Sequence, residues 1–257
     1  MNIIIITGAS SGMGREFALQ MDLYFTNLDE FWLISRNEEK LKKVAGLLTH
    51  KTRILPMDVT DSRNLDTLED ILIEQNATVR MLINCAGFGL MGSFVEQPTE
   101  SALSMIRLNC EALTEMTHRM IPYMRRNSRI IQLASSAAFL PQPDFAVYAA
   151  TKSYVLSFSR ALNEELKPFG ITVTGVCPGP VDTPFFDIAE QNGSTLAIKK
   201  YVMASPDKVV NQALKDSYYR HAMSVYSLPI KILHVLSGAV PHGIILNVME
   251  LMKKKGM

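Results

Sequence analysis

The chain has few of the residues that build disulfides or metal sites. Its three cysteines, Cys85, Cys110 and Cys177, are odd in number, far apart and without a Cys-x-x-Cys spacing, which is typical of a reducing compartment. The five histidines are scattered, with no spacing suited to a metal ion. The sequence therefore predicts neither a disulfide framework nor a metal centre.

Charge of one sign and long apolar runs are also scarce. The 257 residues include 26 Lys or Arg and 25 Asp or Glu, a net charge of +1, so no nucleic-acid partner is expected. The first apolar run begins almost at Met1, which leaves no room for a signal peptide. No C-terminal segment reaches the ~20 apolar residues that cross a bilayer. These absences predict a cytoplasmic protein.

What the chain does contain is an alternation of apolar runs and helical patterns. The first run, residues 3–7, is short, β-branched and continuously apolar, as in a parallel strand buried on both faces. Similar runs end near residues 35, 57, 84, 135 and 176, and the longest helical pattern covers about 100–126. We predict one α/β domain over 1–257, a Rossmann-type, doubly wound parallel sheet of about seven strands with helices on both faces.

A glycine-rich turn follows the first predicted strand. Gly8, Gly12 and Gly14 stand directly before a helical pattern. Glycine allows backbone to approach a pyrophosphate closely, and a helix N-terminus directs N–H groups at it. The spacing differs from the Gly-x-Gly-x-x-Gly fingerprint. We predict nucleotide binding here, and the alternative is a tight turn without a ligand.

Tyr148 and Lys152 lie four residues apart in a long helical pattern, so they project from one face of that helix. An ammonium group beside a phenol lowers the phenol pKa from about 10. Such a phenol can exchange a proton with a carbonyl or alcohol oxygen. This spacing alone is common on helix surfaces. The prediction that Tyr148 and Lys152 are catalytic therefore depends also on Ser135, thirteen residues upstream, and on Asn109 in an earlier helix.

Together these motifs resemble, in order and spacing, those of the short-chain dehydrogenase/reductase family. The matching segments are Thr7-Gly8-x3-Gly12-x-Gly14, Asn84-Cys85-Ala86-Gly87, Asn109, Ser135, Tyr148-x3-Lys152 and the run 178–183. The resemblance implies an NAD(P)(H)-dependent oxidoreductase acting between carbonyls and secondary alcohols. Cys85 departs from the family, which usually has a second asparagine there, and we interpret it as a small buried filler with its thiol near the nicotinamide.

The resemblance also assigns catalytic roles. Tyr148 would be the general acid in reduction and the base in oxidation, while Lys152 would lower its pKa and bind the nicotinamide ribose. Ser135 would hydrogen-bond the substrate oxygen, with Ser136 as its rival. Asn109 would interrupt its helix and hold a water that links Lys152 to solvent. Taken singly, Ser135 could be a cap or turn serine and Asn109 a tolerated polar residue.

Cofactor contacts would come from the ends of the strands. The resemblance places Asp58 at the adenine, Pro178 and Gly179 beside the nicotinamide ring and Thr183 at its carboxamide. Taken alone, Asp58 could equally be a turn aspartate. The predicted cofactor-binding set is Gly8, Ser10, Ser11, Gly12, Met13, Gly14, Arg36, Asp58, Val59, Asn84, Ala86, Gly87, Tyr148, Lys152, Pro178, Gly179, Val181 and Thr183.

The end of the second predicted strand bears on the choice between NADP(H) and NAD(H). NAD enzymes usually place a carboxylate there for the ribose 2′-hydroxyl, whereas this chain has Ser35 followed by Arg36. A guanidinium suits a 2′-phosphate. We therefore predict NADP(H), with NAD(H) as the alternative, although Arg36 could instead pair with Glu38 or Glu39 on the surface.

Apolar side chains in the loops predict a hydrophobic carbonyl or alcohol substrate, steroid-like or acyl-chain-like. The cleft would be shaped by residues around 88–94, 139–145 and 181–204, which include Phe88, Leu90, Met91, Phe139, Leu140, Phe185 and Phe186. A non-catalytic NADP(H)-binding sensor or interaction protein on the same fold is the alternative function. The complete set of catalytic residues argues against it.

Two segments predict contacts beyond the sheet. The helical pattern 149–166 is apolar or small nearly all round, which predicts a homodimer or tetramer, as is common in the family. The extension at about 229–257 has two amphipathic patterns and ends near three consecutive lysines. We expect it to pack on the catalytic domain or a partner subunit, because the net charge is near zero. The alternative is a helix lying on a membrane surface.

Overall fold

The computed structural model describes residues 1–190 and 203–247, which contain a seven-stranded sheet in the order β3-β2-β1-β4-β5-β6-β7. All neighbouring strands pair in parallel. The strands are β1 Asn2–Thr7, β2 Glu30–Ser35, β3 Thr52–Pro56, β4 Thr78–Asn84, β5 Met124–Leu133, β6 Thr172–Val176 and β7 Met223–Ser224. The strand order reverses between β1 and β4, so the predicted doubly wound fold is confirmed.

Helices cover both faces of the sheet. They are α1 Gly12–Tyr24, α2 Glu38–Ala45, α3 Ser62–Glu74, α4 Thr99–Ile106, α5 Leu113–Met120, α6 Ala146–Leu166, α7 Phe185–Ala189, α8 Pro206–Tyr218 and α9 Leu228–Ala239. A further helical stretch occupies 242–247. Within the described ranges, no helix is long and apolar enough to span a membrane.

Alternation of side chains along β1 explains the two apolar layers. Ile3 and Ile5 face α3, α5 and α6, whereas Ile4 and Ile6 face α1, α2 and α8. All four isoleucines are fully buried. A strand covered on both faces needs this continuous apolar pattern.

The long helical pattern at 100–126 is divided and ends earlier than predicted. A π-helical turn, Arg107–Ala112, separates α4 from α5, and α5 stops at Met120. Pro122 then lies in a 3₁₀ turn, Ile121–Tyr123, and β5 begins at Met124. Proline cannot donate the backbone hydrogen bond that would continue the helix, so the prediction that it extends to residue 126 was wrong.

The C-terminal extension is described as far as residue 247. Helix α9 packs on the catalytic part of the molecule, where Ile230 belongs to a buried cluster with Phe139, Leu140 and Val155. The rings of Phe139 and His234 lie with their centroids 4.5 Å apart. The predicted lysine-rich end and part of the predicted substrate loop, residues 191–202, lie outside the described residues.

Candidate active site

A cleft of about 2190 Å³ lies where the carboxyl ends of β1, β4, β5 and β6 meet. It brings together most of the site residues predicted from the sequence. Those in its lining are Gly8, Ser10, Ser11, Gly12, Met13, Gly14, Arg36, Asp58, Val59, Ala86, Gly87, Ser135, Tyr148, Lys152, Pro178, Gly179, Val181 and Thr183. Two predicted residues, Asn84 and Asn109, are not in that lining.

The glycine-rich turn forms a close-fitting cradle at one end of the cleft. Gly8 has a left-handed backbone (φ +66°), and a Cβ there would lie 2.8 Å from the backbone nitrogen of Ala86. A Cβ on Gly14 would collide with the carbonyl oxygen of Gly8. Glycine at position 14 lets α1 begin this close to the turn, and glycine at position 8 lets the turn lie against the segment after β4.

The N-terminus of α1 is open toward this cradle. Its N-cap residue, Ser11, makes no side-chain capping hydrogen bond, and the first turn contains no acidic residue. The first N–H groups of a helix have no partner within the helix and attract anions. The cradle and the open helix end therefore fit the pyrophosphate of a dinucleotide.

Cationic side chains lie at the far end of the same cleft. Arg36, Asn37 and Lys40 are in its lining, and the Asn37 side chain caps α2 by accepting from the backbone N–H of Lys40 at 2.8 Å. Glu38 and Glu39 pair with Lys42 instead. Among the described residues, Arg36 has no ion pair, so the surface pairing considered from the sequence is not formed. Sequence reasoning missed Lys40, although its place one turn into α2 was a usable signal.

Asp58 is a turn aspartate that also lies in the lining of the cleft. Its side chain accepts hydrogen bonds from the backbone N–H and the hydroxyl of Thr60, at 3.0 and 2.7 Å. It also lies in the lining of the cleft beside Val59. The turn therefore holds a carboxylate at the place where an adenine contact was predicted.

Asn84 does not face the cleft as predicted. Its buried amide group donates to the Thr117 hydroxyl at 3.0 Å and to Gln132 Oε1 at 2.9 Å, which ties β4 to β5 and α5. On the cleft side, the hydroxyl of Thr7 links the end of β1 to the segment after β4. It accepts from the backbone N–H groups of Cys85 and Ala86, each at 3.1 Å. Successive side chains of a strand point to opposite faces, which explains why Asn84 is turned away.

The catalytic set predicted from the sequence meets at the start of α6. Tyr148 lies in the first turn of α6, and Lys152 lies one turn later. Both side chains are buried. Ser135 lies two residues after β5; it accepts from the backbone N–H of Ala137 at 3.1 Å and is close enough to the Tyr148 phenol to lower its pKa. Both Ser135 and its rival Ser136 line the cleft, and Ser135 is the one that acts on the pKa of the phenol.

The pKa values differ from the sequence expectation that Lys152 lowers that of Tyr148. Burial raises the pKa of Tyr148 to about 12, and the hydrogen bond from Ser135 opposes this rise. Burial lowers the pKa of Lys152 to about 8. Lys152 Nζ donates to the carbonyl of Leu133 at 2.7 Å and lies 5.6 Å from the Tyr148 ring centroid. In the protein alone, desolvation of the phenol outweighs stabilisation of the phenolate.

Asn109 interrupts its helix, as the family resemblance implied. It lies in the π-helical turn between α4 and α5. Its side chain accepts from the Phe88 N–H at 3.1 Å and donates to the Phe88 carbonyl at 2.8 Å and the Thr151 hydroxyl at 3.1 Å. A Cβ on Gly87 would lie 2.9 Å from Asn109 Oδ1 and 3.5 Å from Lys152 Nζ. Gly87 thus keeps open the space between the two polar groups.

Aromatic rings enclose Tyr148 on the other side of the cleft. Phe145 stacks on it with a centroid distance of 4.2 Å, and Phe185 lies at 5.4 Å. Other apolar residues in the lining are Phe88, Leu90, Met91, Phe186, Ile188, Ile230, Leu233 and Leu246. This side of the cleft is therefore suited to an apolar group beside the phenol.

Two residues predicted for this apolar side lie elsewhere. Phe139 and Leu140 are buried against α9 and are absent from the cleft lining. Residues of α9, Ile230 and Leu233, line the cleft instead. The sequence pattern did not predict which residues of this helix would do so. A Cβ on Gly179 would lie 2.7 Å from Ile230 Cδ1, so α9 reaches the loop predicted to hold the nicotinamide.

Cys85 is in the cleft lining, where burial raises its thiol pKa to about 12. The thiol is therefore protonated at neutral pH, which suits the interpretation of Cys85 as a filler. The described residues contain no group of three or more His, Cys, Asp or Glu that could hold a metal ion.

The doubly wound sheet, the pyrophosphate cradle and a Ser–Tyr–Lys group at the strand ends define a class, the dinucleotide-dependent oxidoreductases. Comparison with known proteins specifies the family. The family model for short chain dehydrogenases matches residues 2–193. The chain belongs to the short-chain dehydrogenase/reductase family and is an NAD(P)-dependent oxidoreductase.

Individual relatives agree with this placement. An uncharacterized oxidoreductase of Staphylococcus epidermidis is 31% identical over 184 residues, covering 71% of this chain and 79% of the relative. A very-long-chain 3-oxoacyl-CoA reductase of Phaeosphaeria nodorum is 30% identical over 215 residues, covering 80% of this chain and 62% of the relative. A short-chain dehydrogenase from Sphingobium yanoikuyae, solved in complex with NADPH, is 28% identical with a TM-score of 0.79, and the match covers 93% of each chain.

Proposed function

We propose that this chain interconverts a hydrophobic ketone and its secondary alcohol with NADP(H), and that Tyr148 carries the proton. One observation supports this most strongly. Ser135 and Tyr148 both line the cleft where the dinucleotide cradle meets its apolar side, and Ser135 is close enough to lower the pKa of the Tyr148 phenol.

The cofactor would be held by backbone at one end and by cations at the other. The turn Gly8–Gly14 and the start of α1 would bind the pyrophosphate, while Arg36 and Lys40 would bind the 2′-phosphate. Gly179 and Thr183 would contact the nicotinamide, and Lys152 its ribose. When bound, the cofactor supplies or accepts the hydride. The NADPH in the Sphingobium relative supports this choice.

The proton would move through this chain's own side chains. Ser135 would hold the substrate oxygen, and Tyr148 would donate its hydroxyl proton to that oxygen in reduction. With a pKa of about 12, Tyr148 is protonated at neutral pH and ready to donate. Lys152, with a pKa of about 8, would exchange protons with solvent through a water held in the space beside Asn109 and Gly87.

The substrate would be recognised mainly by apolar contact. Phe145 and Phe185 flank Tyr148, and Ile230 and Leu233 of α9 form a further wall. A long acyl chain suits such a surface, and the relative from Phaeosphaeria is named for a very-long-chain 3-oxoacyl substrate. We propose an acyl-chain-like ketone as the first substrate class to test, followed by steroid-like ketones.

We further propose that the chain acts in the cytoplasm as a homodimer or tetramer. Cys85, Cys110 and Cys177 carry free thiols, which suits a reducing compartment. Tyr154 is exposed on α6 and hydrogen-bonds Thr114 at 2.7 Å, so its ring would be available to a symmetry mate. Light scattering at micromolar concentration would detect such an oligomer, and a purely monomeric protein would contradict it.

The variant Tyr148→Phe tests the proposed chemistry. It removes the hydroxyl but keeps the ring between Phe145 and Phe185, so we expect kcat to fall by about 10²–10⁴-fold with NADPH affinity unchanged. Tyr154→Phe, on the exposed face of the same helix, is the matched control and should keep full activity. A Tyr148→Phe enzyme with near-normal kcat would refute the assignment.

A further inference from the structure

Helix α9 has two apolar faces, and only one is buried. Ile230 and Leu233 line the cleft. On the other face, Leu228 is 70% exposed, Ile232 50%, Val235 69% and Leu236 49%. We call these four residues the outer stripe. Their spacing of four, three and one along the helix makes them neighbours on one surface. Single exposed apolar residues are ordinary, but a contiguous stripe indicates a binding surface.

The stretch of sequence that contains the outer stripe, residues 221–257, has four lysines and one acidic residue. Residues 221–247 contain no Asp or Glu, and their only Lys or Arg is Lys231. The remaining ten residues of the sequence add Lys253, Lys254 and Lys255 against a single acid, Glu250. An apolar helix face accompanied by lysines is complementary to a lipid surface that carries anionic headgroups.

More exposed apolar residues border the same cleft. Phe94 is 63% exposed and Val95 92% exposed. Their neighbours Ser93 and Glu96 line the cleft, as does Ile188. Backbone hydrogen bonds join this loop to the segment containing α7, through Met91 N–H to the Ala189 carbonyl at 2.9 Å. Both the outer stripe and this loop therefore lie beside the cleft.

A second copy of the chain is a weaker match for the outer stripe. The stripe runs from Leu228 to Leu236 on helix α9, so it is one helix wide and about 12 Å long. Stable interfaces bury roughly 800 Å² on each partner, more than so narrow a surface supplies by itself. A helix lying at the boundary of lipid and water needs only the apolar face and the cations.

We propose that the outer stripe attaches this protein to an anionic lipid surface, with α9 lying in the plane of the headgroups. Because the opposite face of α9 walls the cleft, attachment places the cleft beside the lipid. A hydrophobic substrate then enters from the membrane rather than from water. This last step rests on the proposed function, whereas the attachment does not.

The test is co-sedimentation of the full-length protein with vesicles, measured without substrate. Vesicles of phosphatidylcholine with about 30% phosphatidylserine should bind the protein, and pure phosphatidylcholine should bind it less. Val235→Glu and Ile232→Glu should each lower the partition coefficient by about tenfold or more. Ile73→Glu, at a 65% exposed position on α3, is the matched control and should change nothing. NADPH binding by each variant verifies that it is folded.

Several outcomes would overturn the proposal. They are no binding of the wild type to the anionic vesicles, or equal binding by Val235→Glu. If light scattering shows that Val235→Glu loses a subunit, the stripe is an interface between copies of the chain. If replacing Lys253, Lys254 and Lys255 by Gln abolishes binding while Val235→Glu does not, the tail alone is the anchor. None of these results depends on whether Tyr148 carries the proton.

Discussion

The two sides of the cleft are built in different ways. On the cofactor side, backbone meets backbone: Gly8 lies against Ala86, and Gly14 lies against Gly8. On the substrate side, the surface consists of side chains from separate segments, among them Phe88, Phe145, Phe185 and Ile230.

This difference determines what substitution can do on each side. At Gly8 and Gly14 the cofactor side has no room for an added atom, so changes at these positions should damage folding and dinucleotide binding together. The substrate side can change its shape one side chain at a time while the backbone stays in place. Ligand choice can therefore diverge on one side while the chemistry is retained on the other.

The largest effect is expected at Lys152, where the two sides meet. Lys152→Met removes the buried ammonium group between the Leu133 carbonyl and the Tyr148 ring. We expect kcat to fall by about 10²–10⁴-fold, together with weaker NADPH binding, in steady-state and equilibrium measurements. Lys167→Met, at an exposed position just after α6, is the control. A Lys152→Met enzyme that retained turnover and cofactor affinity would show that Lys152 is needed neither for proton transfer nor for cofactor binding.

Gly14→Ala tests the tightness of the cofactor side. The new Cβ would collide with the carbonyl oxygen of Gly8, so we expect the free energy of unfolding to fall by about 1–3 kcal/mol in denaturant titrations. Gly238→Ala is the matched control, because a Cβ there meets no atom of the described residues within 4 Å. In the helix α9 it should stabilise by roughly 0.5–1 kcal/mol. Equal stability of the two variants would show that the glycine-rich turn can shift to accept a Cβ at position 14, which contradicts the tight packing described here.

Arg36→Asp tests the charge at the far end of the cofactor side. Loss of one charge-assisted pair should weaken NADPH binding by roughly ten- to hundredfold, about 1.5–3 kcal/mol, and improve the relative affinity for NADH. Arg125→Asp makes the same change of charge at an exposed position of β5 and should leave both affinities unchanged. If wild type and Arg36→Asp used both cofactors equally, Arg36 would have no part in the choice.

Phe185→Ala gives the smallest effect and belongs to the substrate side. Removing the ring should raise KM for an apolar ketone about tenfold, with NADPH affinity unchanged. Because burial raises the pKa of Tyr148, exposing its ring should lower that pKa, so alcohol oxidation should become active at a lower pH. Phe169→Ala, at an exposed position away from the cleft, is the control. A selective loss of NADPH affinity in Phe185→Ala would show that Phe185 serves the cofactor, which contradicts its assignment to the substrate side.

The same division explains what the sequence could predict. Cofactor-side residues lie in short contiguous motifs, so their spacing is visible in the chain, and the glycine turn does line the cleft. Lys40 was missed, and so were the hydrogen bonds that Thr7 accepts, because both depend on contacts between neighbouring segments. Asn84 was misplaced because a strand alternates its side chains between faces.

On the substrate side and at Tyr148, the sequence carried less information. Phe139 and Leu140 were expected in the cleft, yet α9, almost a hundred residues later, covers them. The spacing of Tyr148 and Lys152 predicts adjacency but not burial, and burial dominates both pKa values. The lining of the substrate side and the burial of Tyr148 and Lys152 depend on packing between segments that are distant in the sequence. A local sequence pattern does not reveal such packing.

The central claim is that this protein reduces hydrophobic ketones with NADPH. It is most directly tested by following NADPH absorbance while the wild-type protein is incubated with a series of ketones. We predict that apolar ketones with acyl chains of increasing length consume NADPH and yield an equal amount of secondary alcohol, faster than with NADH. Charged keto acids of similar size should react poorly. NADPH binding without its oxidation by any ketone in the series would contradict the account and favour a protein that only binds the cofactor.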